Sequence, residues 1–382
     1  MILYFKINAR LKEIIDNLMK IGGYRDYSEL LAFAVENLYT VELELAEKES
    51  GTSEEIPPPA VTARRRSSSM RGPARKIKRG RPLMAPSKTV HAHVSVTART
   101  QQVPGLFQMT SGAVANGIAV PVPENNTPET RFTLDRWLFG QINRLLPLKT
   151  NCRALARVAA DFPGGIPVEE TFYRIGTEAL SLGDYLADHD ARHQLDRDSQ
   201  LATAFPRGGP EADKSLLRYV NLFLGSVTAQ GKFSGMLQAY RMAVLLPGQP
   251  FRIQLTEPAL RFAVLANPVL DACQTDPRQK FSREEIIFLL EHIRKYVPEE
   301  AFAFRTLIQA IADGATTPDR IEIALRHLVP DEVARIRTSS FLVSQRSGAL
   351  SRMADLGLVE RQRAGVRVIY RITSQAESFM YH

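Results

Sequence analysis

Near its C-terminal end the sequence runs Ser339-Ser340-Phe341-Leu342-Val343-Ser344-Gln345-Arg346-Ser347-Gly348-Ala349-Leu350-Ser351-Arg352-Met353-Ala354-Asp355-Leu356-Gly357. It continues Leu358-Val359-Glu360-Arg361-Gln362-Arg363-Ala364-Gly365-Val366-Arg367-Val368-Ile369-Tyr370-Arg371-Ile372-Thr373. In the first part Leu342, Gln345-Arg346, Ala349-Leu350 and Met353 recur at three and four residues, the spacing of one helix face. Gly357 stands where such a helix stops. In the second part Val359 and Arg361 lead into an Arg-Ala-Gly turn. Val366, Val368, Tyr370 and Ile372 then alternate with Arg367, Ile369 and Arg371. That pattern predicts a two-stranded hairpin with one half-buried face, although Ile369 interrupts the polar side.

The polar residues of this stretch have the chemistry of a reader. Ser340, Ser344, Gln345, Ser347, Ser351 and Arg352 are short donors or bidentate groups suited to base edges. Arg361, Arg363 and Arg367 concentrate cations on the turn, where phosphates would lie. The Ala-Asp-Leu-Gly-Leu-Val-Glu link (354–360) and the closing Tyr-Arg-Ile-Thr (370–373) resemble the winged helix-turn-helix family, at the end of its third helix and in its second wing strand. The resemblance implies that the 340–353 face enters a major groove through Ser340, Ser344, Gln345, Arg346 and Arg352. It also implies that the 361–367 turn, with Arg361, Arg363 and Arg367, touches the flanking backbone. A helix-hairpin module that binds protein is the alternative for the same residues.

Composition sets the frame. A chain of 382 residues with 44% hydrophobic content is expected to hold about two to four domains with ordinary cores. The net charge of +8 favours a polyanionic partner. Cys152 and Cys273 are the two cysteines, which excludes a disulfide framework and a Cys-Xaa-Xaa-Cys zinc site. No apolar run approaches the roughly 20 residues that a membrane span needs. Met1-Ile2-Leu3-Tyr4-Phe5-Lys6 lacks a signal peptide's cationic start, so a cytoplasmic protein is expected, nucleoid-associated if it binds DNA.

Residues 1–45 read as strand, helix, helix. Ile2–Ile7 alternates as a short strand, and Asn8 caps a helix through Leu11, Ile14, Ile15, Leu18 and Ile21. Gly22-Gly23 ends that helix, and Ser28 caps a second one through Leu30, Leu31, Ala34, Val35, Leu38 and Val41. This order resembles the ribbon-helix-helix family. The resemblance implies an obligate homodimer, since one chain cannot bury the strand alone. It places Ile2, Tyr4 and Lys6 in the groove and a phosphate at the Ser28 helix end. Ile2 is not a base reader, Tyr27 stands where the family has a basic residue, and the second helix is acidic. A unit that only dimerises is therefore the alternative.

Residues 46–130 change character. From Ile56 to Pro123 there is no Asp or Glu, while Arg64, Arg65, Arg66, Arg71, Arg75, Lys76, Lys78, Arg79, Arg81, Lys88 and Arg99 all fall there. These cations exceed the whole net charge, so the rest of the chain is slightly acidic. A basic segment rich in Pro and Ser with few large apolar groups is expected to be a largely disordered linker. Within it Lys78-Arg79-Gly80-Arg81-Pro82 resembles an AT-hook core, which implies Arg79 and Arg81 in a narrow minor groove. A nonspecific cationic linker is the alternative.

Residues 131–275 return to helical patterning. A helix through Phe132, Trp137, Ile142 and Leu146 is expected to end before Pro147, and another follows through Cys152–Ala159. Lys214–Val227 and Ser234–Leu245 read as helices, Pro250–Glu257 as a short strand, and Leu260–Val264 as helix. This order suggests a second winged-helix-like unit with Lys232, Ser234, Gln238 and Arg241 as readers, or a plain helical core. His189 and His193, four apart beside Asp190 and Asp196, are the one set to weigh for a metal. Mixed charges at this density usually mark a solvated helix, and no metal is expected. Residues 281–382 are a helical segment plus a winged helix from about 318, with Ser282 and Glu285 as a capping box. Pro318–Leu328 and Asp331–Arg337 are expected to be that unit's first two helices.

The sequence therefore predicts a mainly α, multidomain chain: ribbon-helix-helix, basic linker, helical middle and C-terminal winged helix. No catalytic set or cofactor motif appears. The expected function is that of a non-enzymatic, homodimeric protein that binds double-stranded DNA in a sequence-specific way, as a transcriptional regulator. A plasmid or viral replication or partition protein is one alternative. An adaptor in a nucleic-acid-processing complex, docking a protein partner through the helical middle, is the other.

Overall fold

Pro147 decides where the described fold begins. In the computed structural model, helix α1 spans Leu146–Ala159 with Pro147 in its first turn, where a missing N–H costs nothing. The structure describes residues 102–108, 119–123, 137–328, 339–364 and 367–381. The chain divides into two units, Met1–Ser95 and Val96–His382. The expectations for residues 1–45 and for the AT-hook-like run lie outside the described residues, as does the Asp331–Arg337 helix. The description that follows is of the second unit. Pro147 thus starts a helix instead of ending one, and 137–145 is irregular chain.

The unit is mainly helical with small sheets. After α1 come β1 (Ile166–Pro167) and the long α2 (Val168–Arg192), then α3 (Ala212–Tyr219), which runs into a wider turn at Val220–Leu224. A two-residue hairpin follows, β2 (Ser226–Val227) with β3 (Phe233–Ser234), then a single helical turn α4 (Met236–Ala239). Next are β4 (Ala243–Leu246), β5 (Arg252–Leu255) and α5 (Glu257–Val264). β4 and β5 form an antiparallel hairpin, and β1 adds antiparallel to the β5 edge, giving the order β1-β5-β4.

The expected Ser234–Leu245 helix is therefore a turn of helix followed by a strand. Its physical reason is local and tertiary together. Arg241 has φ 56, a left-handed backbone that no helix continues through, and Ala243–Leu246 gains a ladder with β5. The Lys214–Val227 expectation is met by helical residues only as far as Leu224.

The C-terminal half carries α6 (Arg283–Tyr296), α7 (Pro298–Ala312), α8 (Pro318–Leu325), α9 (Ser339–Asp355), β6 (Val359–Ala364), β7 (Arg367–Ile372) and α10 (Ser374–Tyr381). The Ser282–Glu285 capping box is formed reciprocally at the start of α6. β6 and β7 pair antiparallel from Val359↔Ile372 to Ala364↔Arg367. The Tyr370 N–H donates to the Thr316 carbonyl at 2.8 Å, so the chain between α7 and α8 lines the β7 edge. α7 packs against α8, α9, α10 and β7, and α8 also meets α9. The first half thus carries a three-stranded sheet, β1-β5-β4, and the second a two-stranded one, β6-β7, whose outer edge gives a hydrogen bond to the chain before α8.

Buried ionic groups stitch the halves. Arg352 on α9 is fully buried and gripped by Glu300 on α7, Nε to Oε1 at 2.5 Å and Nη2 to Oε2 at 2.8 Å. Its remaining nitrogen, Nη1, donates to the Ile142 carbonyl, and the Tyr240 hydroxyl donates to Glu300 at 3.1 Å. Lys149 on α1 meets Glu285 of the capping box at 2.9 Å and the carbonyls of Phe262 and Leu265. Burial lowers its pKa to about 8, against the opposing pull of Glu285. Asp355 accepts from the Leu145 N–H at 3.0 Å and from Lys280 at 2.6 Å. Each pair joins residues of the two halves, or of elements distant in the chain.

Two outcomes follow from these contacts. Glu300→Gln leaves the Arg352 charge unanswered and should cost about 3–5 kcal/mol, read from denaturant midpoints at pH 7. His292 donates through Nε2 to the Tyr240 carbonyl at 2.7 Å, its Nδ1 is buried without a partner, and burial lowers its pKa to about 4. Its unfolded-state value is about 6.5, so between those values the unfolded chain binds the extra proton. Stability should therefore fall as pH drops from about 6.5 to about 4, by roughly 3 kcal/mol, and His292→Gln should flatten that slope in pH-dependent melts.

Candidate nucleic-acid interface

The reader residues expected from the sequence sit on α9 and the β6–β7 hairpin, and the two behave differently. α9 is enclosed. Gln345 and Arg352 face the 137–142 chain, Gln345 Nε2 donating to the Trp137 carbonyl at 3.3 Å and Arg352 to that of Ile142. Gly348 lets this chain approach: a methyl there would overlap the Gly140 backbone, and one on Gly140 would overlap the Ser344 carbonyl. On the other side Arg346 donates to the Pro318 carbonyl at 2.8 Å and to Glu322 at 3.0 Å. Ala349, Leu350 and Met353 are buried in the core. Only Ser347 and Ala354 are exposed along the helix from Phe341 to Asp355, with Ser351 and 341–344 half-buried.

Three of the expected readers, Gln345, Arg346 and Arg352, have their hydrogen-bond partners inside the fold. The physical reason is that a guanidinium or amide on a helix serves a carboxylate and a carbonyl as well as it serves a guanine. Ser344 is half-buried against Gly140, and Ser340 lies in the first turn of α9. Tyr4, Lys6, Ser28, Arg79 and Arg81 lie outside the described residues.

The hairpin stands out from this enclosed helix. Strand alternation and the Val359↔Ile372 register put Arg361 and Arg363 on the face of Tyr370 and Val368, and put Arg367 and Arg371 on the opposite face. Arg361, Arg363, Arg367 and Arg371 are all exposed, against one acid on these strands, Glu360. Arg361 and Arg363 converge on the Asp198 carboxylate in the loop after α2, Arg363 at 3.4 Å. Arg371 stands in the alternation read from the sequence but is not among the expected contact residues. Its signal was present, since it alternates in phase with Arg367 across the strand.

The suggested readers of the middle segment do not form one face. Lys232 and Ser234 are exposed, while Gln238 and Arg241 are half-buried and Arg241 pairs with Glu299 at 3.2 Å. The histidine cluster is also explained by local structure. The His189 and His193 rings meet at a tilt of 47° with centroids 4.5 Å apart. The Asp190 carboxylate accepts the N–H groups of Leu201 and Ala202, and Asp196 accepts those of Asp198 and Ser199. Among the described residues no three His, Cys, Asp or Glu side chains are placed to hold a metal, and no helix is long and apolar enough to cross a membrane. Cys152 is fully buried, and burial pushes its thiol up to about 12, which leaves no thiolate for chemistry.

No family model, no curated protein and no solved structure matches this chain.

Arg346→Ala should lower stability by about 1–3 kcal/mol, because the half-buried Glu322 carboxylate and the Pro318 carbonyl lose a charged donor. Arg367→Ala should leave stability within about 0.5 kcal/mol. Parallel thermal melts of the two variants check the contrast, and equal losses would contradict this account of the helix and the hairpin.

Proposed function

We propose that this chain is a homodimeric protein that binds double-stranded DNA, with the β6–β7 hairpin as its phosphate-contacting wing. The observation that carries this reading is the hairpin itself: Arg361, Arg363, Arg367 and Arg371 project from fourteen residues that hold a single acid. Arginine on a protruding hairpin beside a helix suits backbone contact, which sets affinity and salt dependence. The packing of α7, α8 and α9 with the β6–β7 hairpin supports a winged-helix-like unit in the C-terminal half. The dimer rests on the ribbon-helix-helix resemblance of residues 1–45, and the basic run 64–99 adds a second cationic contact through a tether.

The use we favour is transcriptional regulation. Replication or partition is the nearest variant. One palindromic site at a promoter supports the first use, and an array of direct repeats supports the second. A different reading, an adaptor docked in a larger nucleic-acid-processing assembly, is favoured by the enclosure of α9, which leaves a narrow strip for bases.

The experiment is retention of a random duplex pool by the purified full chain across a salt series, with sequencing of what is retained. Binding should weaken linearly on logarithmic axes. Replacing Arg367 and Arg371 by Ala should reduce the slope by about 2, one unit for each phosphate that the wing no longer neutralises. An unchanged slope removes the hairpin from the interface. No retention at any salt, with a protein co-purifying in fixed ratio, transfers the chain to the adaptor reading.

A further inference from the structure

Arg361 and Arg363 stand two residues apart on one face of β6, and both turn to the same carboxylate. Arg361 Nη1 takes one oxygen of Asp198 and Arg363 Nη2 the other, at 3.4 Å. A carboxylate held with one oxygen on each of two guanidinium groups presents what the two non-bridging oxygens of a phosphodiester present. We propose that Arg361 and Arg363 form a nucleic-acid phosphate site, and that Asp198 holds it in the absence of nucleic acid. The loop after α2 then competes with the DNA backbone for the wing. This rests on the reading of the hairpin as a DNA contact and gives that contact a place and a regulator.

The loop does not need the Asp198 carboxylate for its own shape. Asp196 supplies the local turn, its Oδ1 accepting the N–H groups of Asp198 and Ser199 at 3.0 Å each. The Asp198 carbonyl is held from Arg144 at 3.3 Å. Arg361 lies opposite Tyr370 in the strand ladder, so its backbone stays placed when the carboxylate leaves. Exchange needs no unfolding, because the side chains are reachable by solvent: Asp198 is 34% exposed, Arg361 31% and Arg363 59%. Half-exposed ion pairs are weak and a phosphate is a strong partner for arginine, so the competition is reversible. Arg144, which holds the Asp198 carbonyl, is itself paired with Asp355 at 3.5 Å, so the two wing arginines are the cations that a displaced Asp198 carboxylate leaves behind.

The test is binding of the full chain to a random-sequence duplex, read by fluorescence anisotropy at several salt concentrations. Asp198→Asn should bind about three- to tenfold tighter at low salt, the scale of removing a pair of weak competing ion pairs. The gain should vanish when Asp198→Asn is combined with Arg361→Ala and Arg363→Ala. Equal or weaker binding by Asp198→Asn, or a gain that survives removal of both arginines, overturns the proposal and leaves the DNA reading standing. If neither wild type nor Asp198→Asn binds duplex at low salt, the DNA reading falls and this site with it. Asp198→Ser is the second replacement should the Asn variant not fold. In the wild-type chain, duplex should also speed hydrogen exchange of the 197–201 amides. Unchanged exchange in a saturated complex overturns the competition. Inorganic phosphate at matched ionic strength is the control, and the same effect from phosphate alone replaces the nucleic-acid assignment with a free-anion site.

Discussion

A guanidinium sealed from water must be answered on every side, and Arg352 is answered by Glu300, by Ile142 and, through Glu300, by Tyr240. That requirement draws four separate parts of the chain to one point: the 137–145 segment, the end of α4, the first turn of α7 and the last turns of α9. Ordinary apolar packing tolerates sliding, since contact energy is roughly proportional to area. A bidentate pair in a dry core does not, because a small shift leaves a charge unpaired at a cost of several kcal/mol. Other ionic contacts flank it. Lys149 fastens α1 to the start of α6, Arg153 fastens α1 to Asp271, and Asp355 fastens the end of α9 to Leu145 and Lys280.

These polar ties have a consequence for the helix they enclose. α9 has the composition of a reading helix, and its polar residues are largely committed to holding the two halves together. The close Gly140–Gly348 approach allows this, since a side chain on either residue would push the 137–145 chain off the helix. What the fold leaves facing solvent is the hairpin, whose arginines are exposed or bound to a single surface carboxylate. On the DNA-binding reading proposed above, backbone contact is the mode these surfaces would serve, and base reading by α9 would need the 137–145 segment to move.

The hairpins of the two halves differ in charge. The first half closes its three-stranded sheet with a turn at Pro247-Gly248-Gln249-Pro250, which carries no charge. The second half closes its two-stranded sheet with arginines on both faces of the hairpin.

The C-terminal helix and hairpin were legible from residues 339–373, and the Ser282–Glu285 cap was legible too. These depend on neighbours three or four residues apart, or on strand alternation, and such information is local. The Pro147 helix start and the β4 strand were not legible. A proline at a helix boundary allows either side, and a run of apolar residues such as Ala243–Leu246 suits a strand or a helix until β5 is beside it. Which face of α9 is covered lay beyond the sequence. The partners of Gln345, Gly348 and Arg352 on the 137–142 chain are more than two hundred positions away, and Glu300 is fifty-two from Arg352. By itself the sequence determined that Arg, Gln and Ser would line one helix and that Arg would crowd one hairpin. Only the tertiary structure decided that the helix residues face carboxylates and carbonyls inside the protein while the hairpin residues face out. A side chain's chemistry is written locally, but its partner is chosen by what long-range packing brings within hydrogen-bond distance.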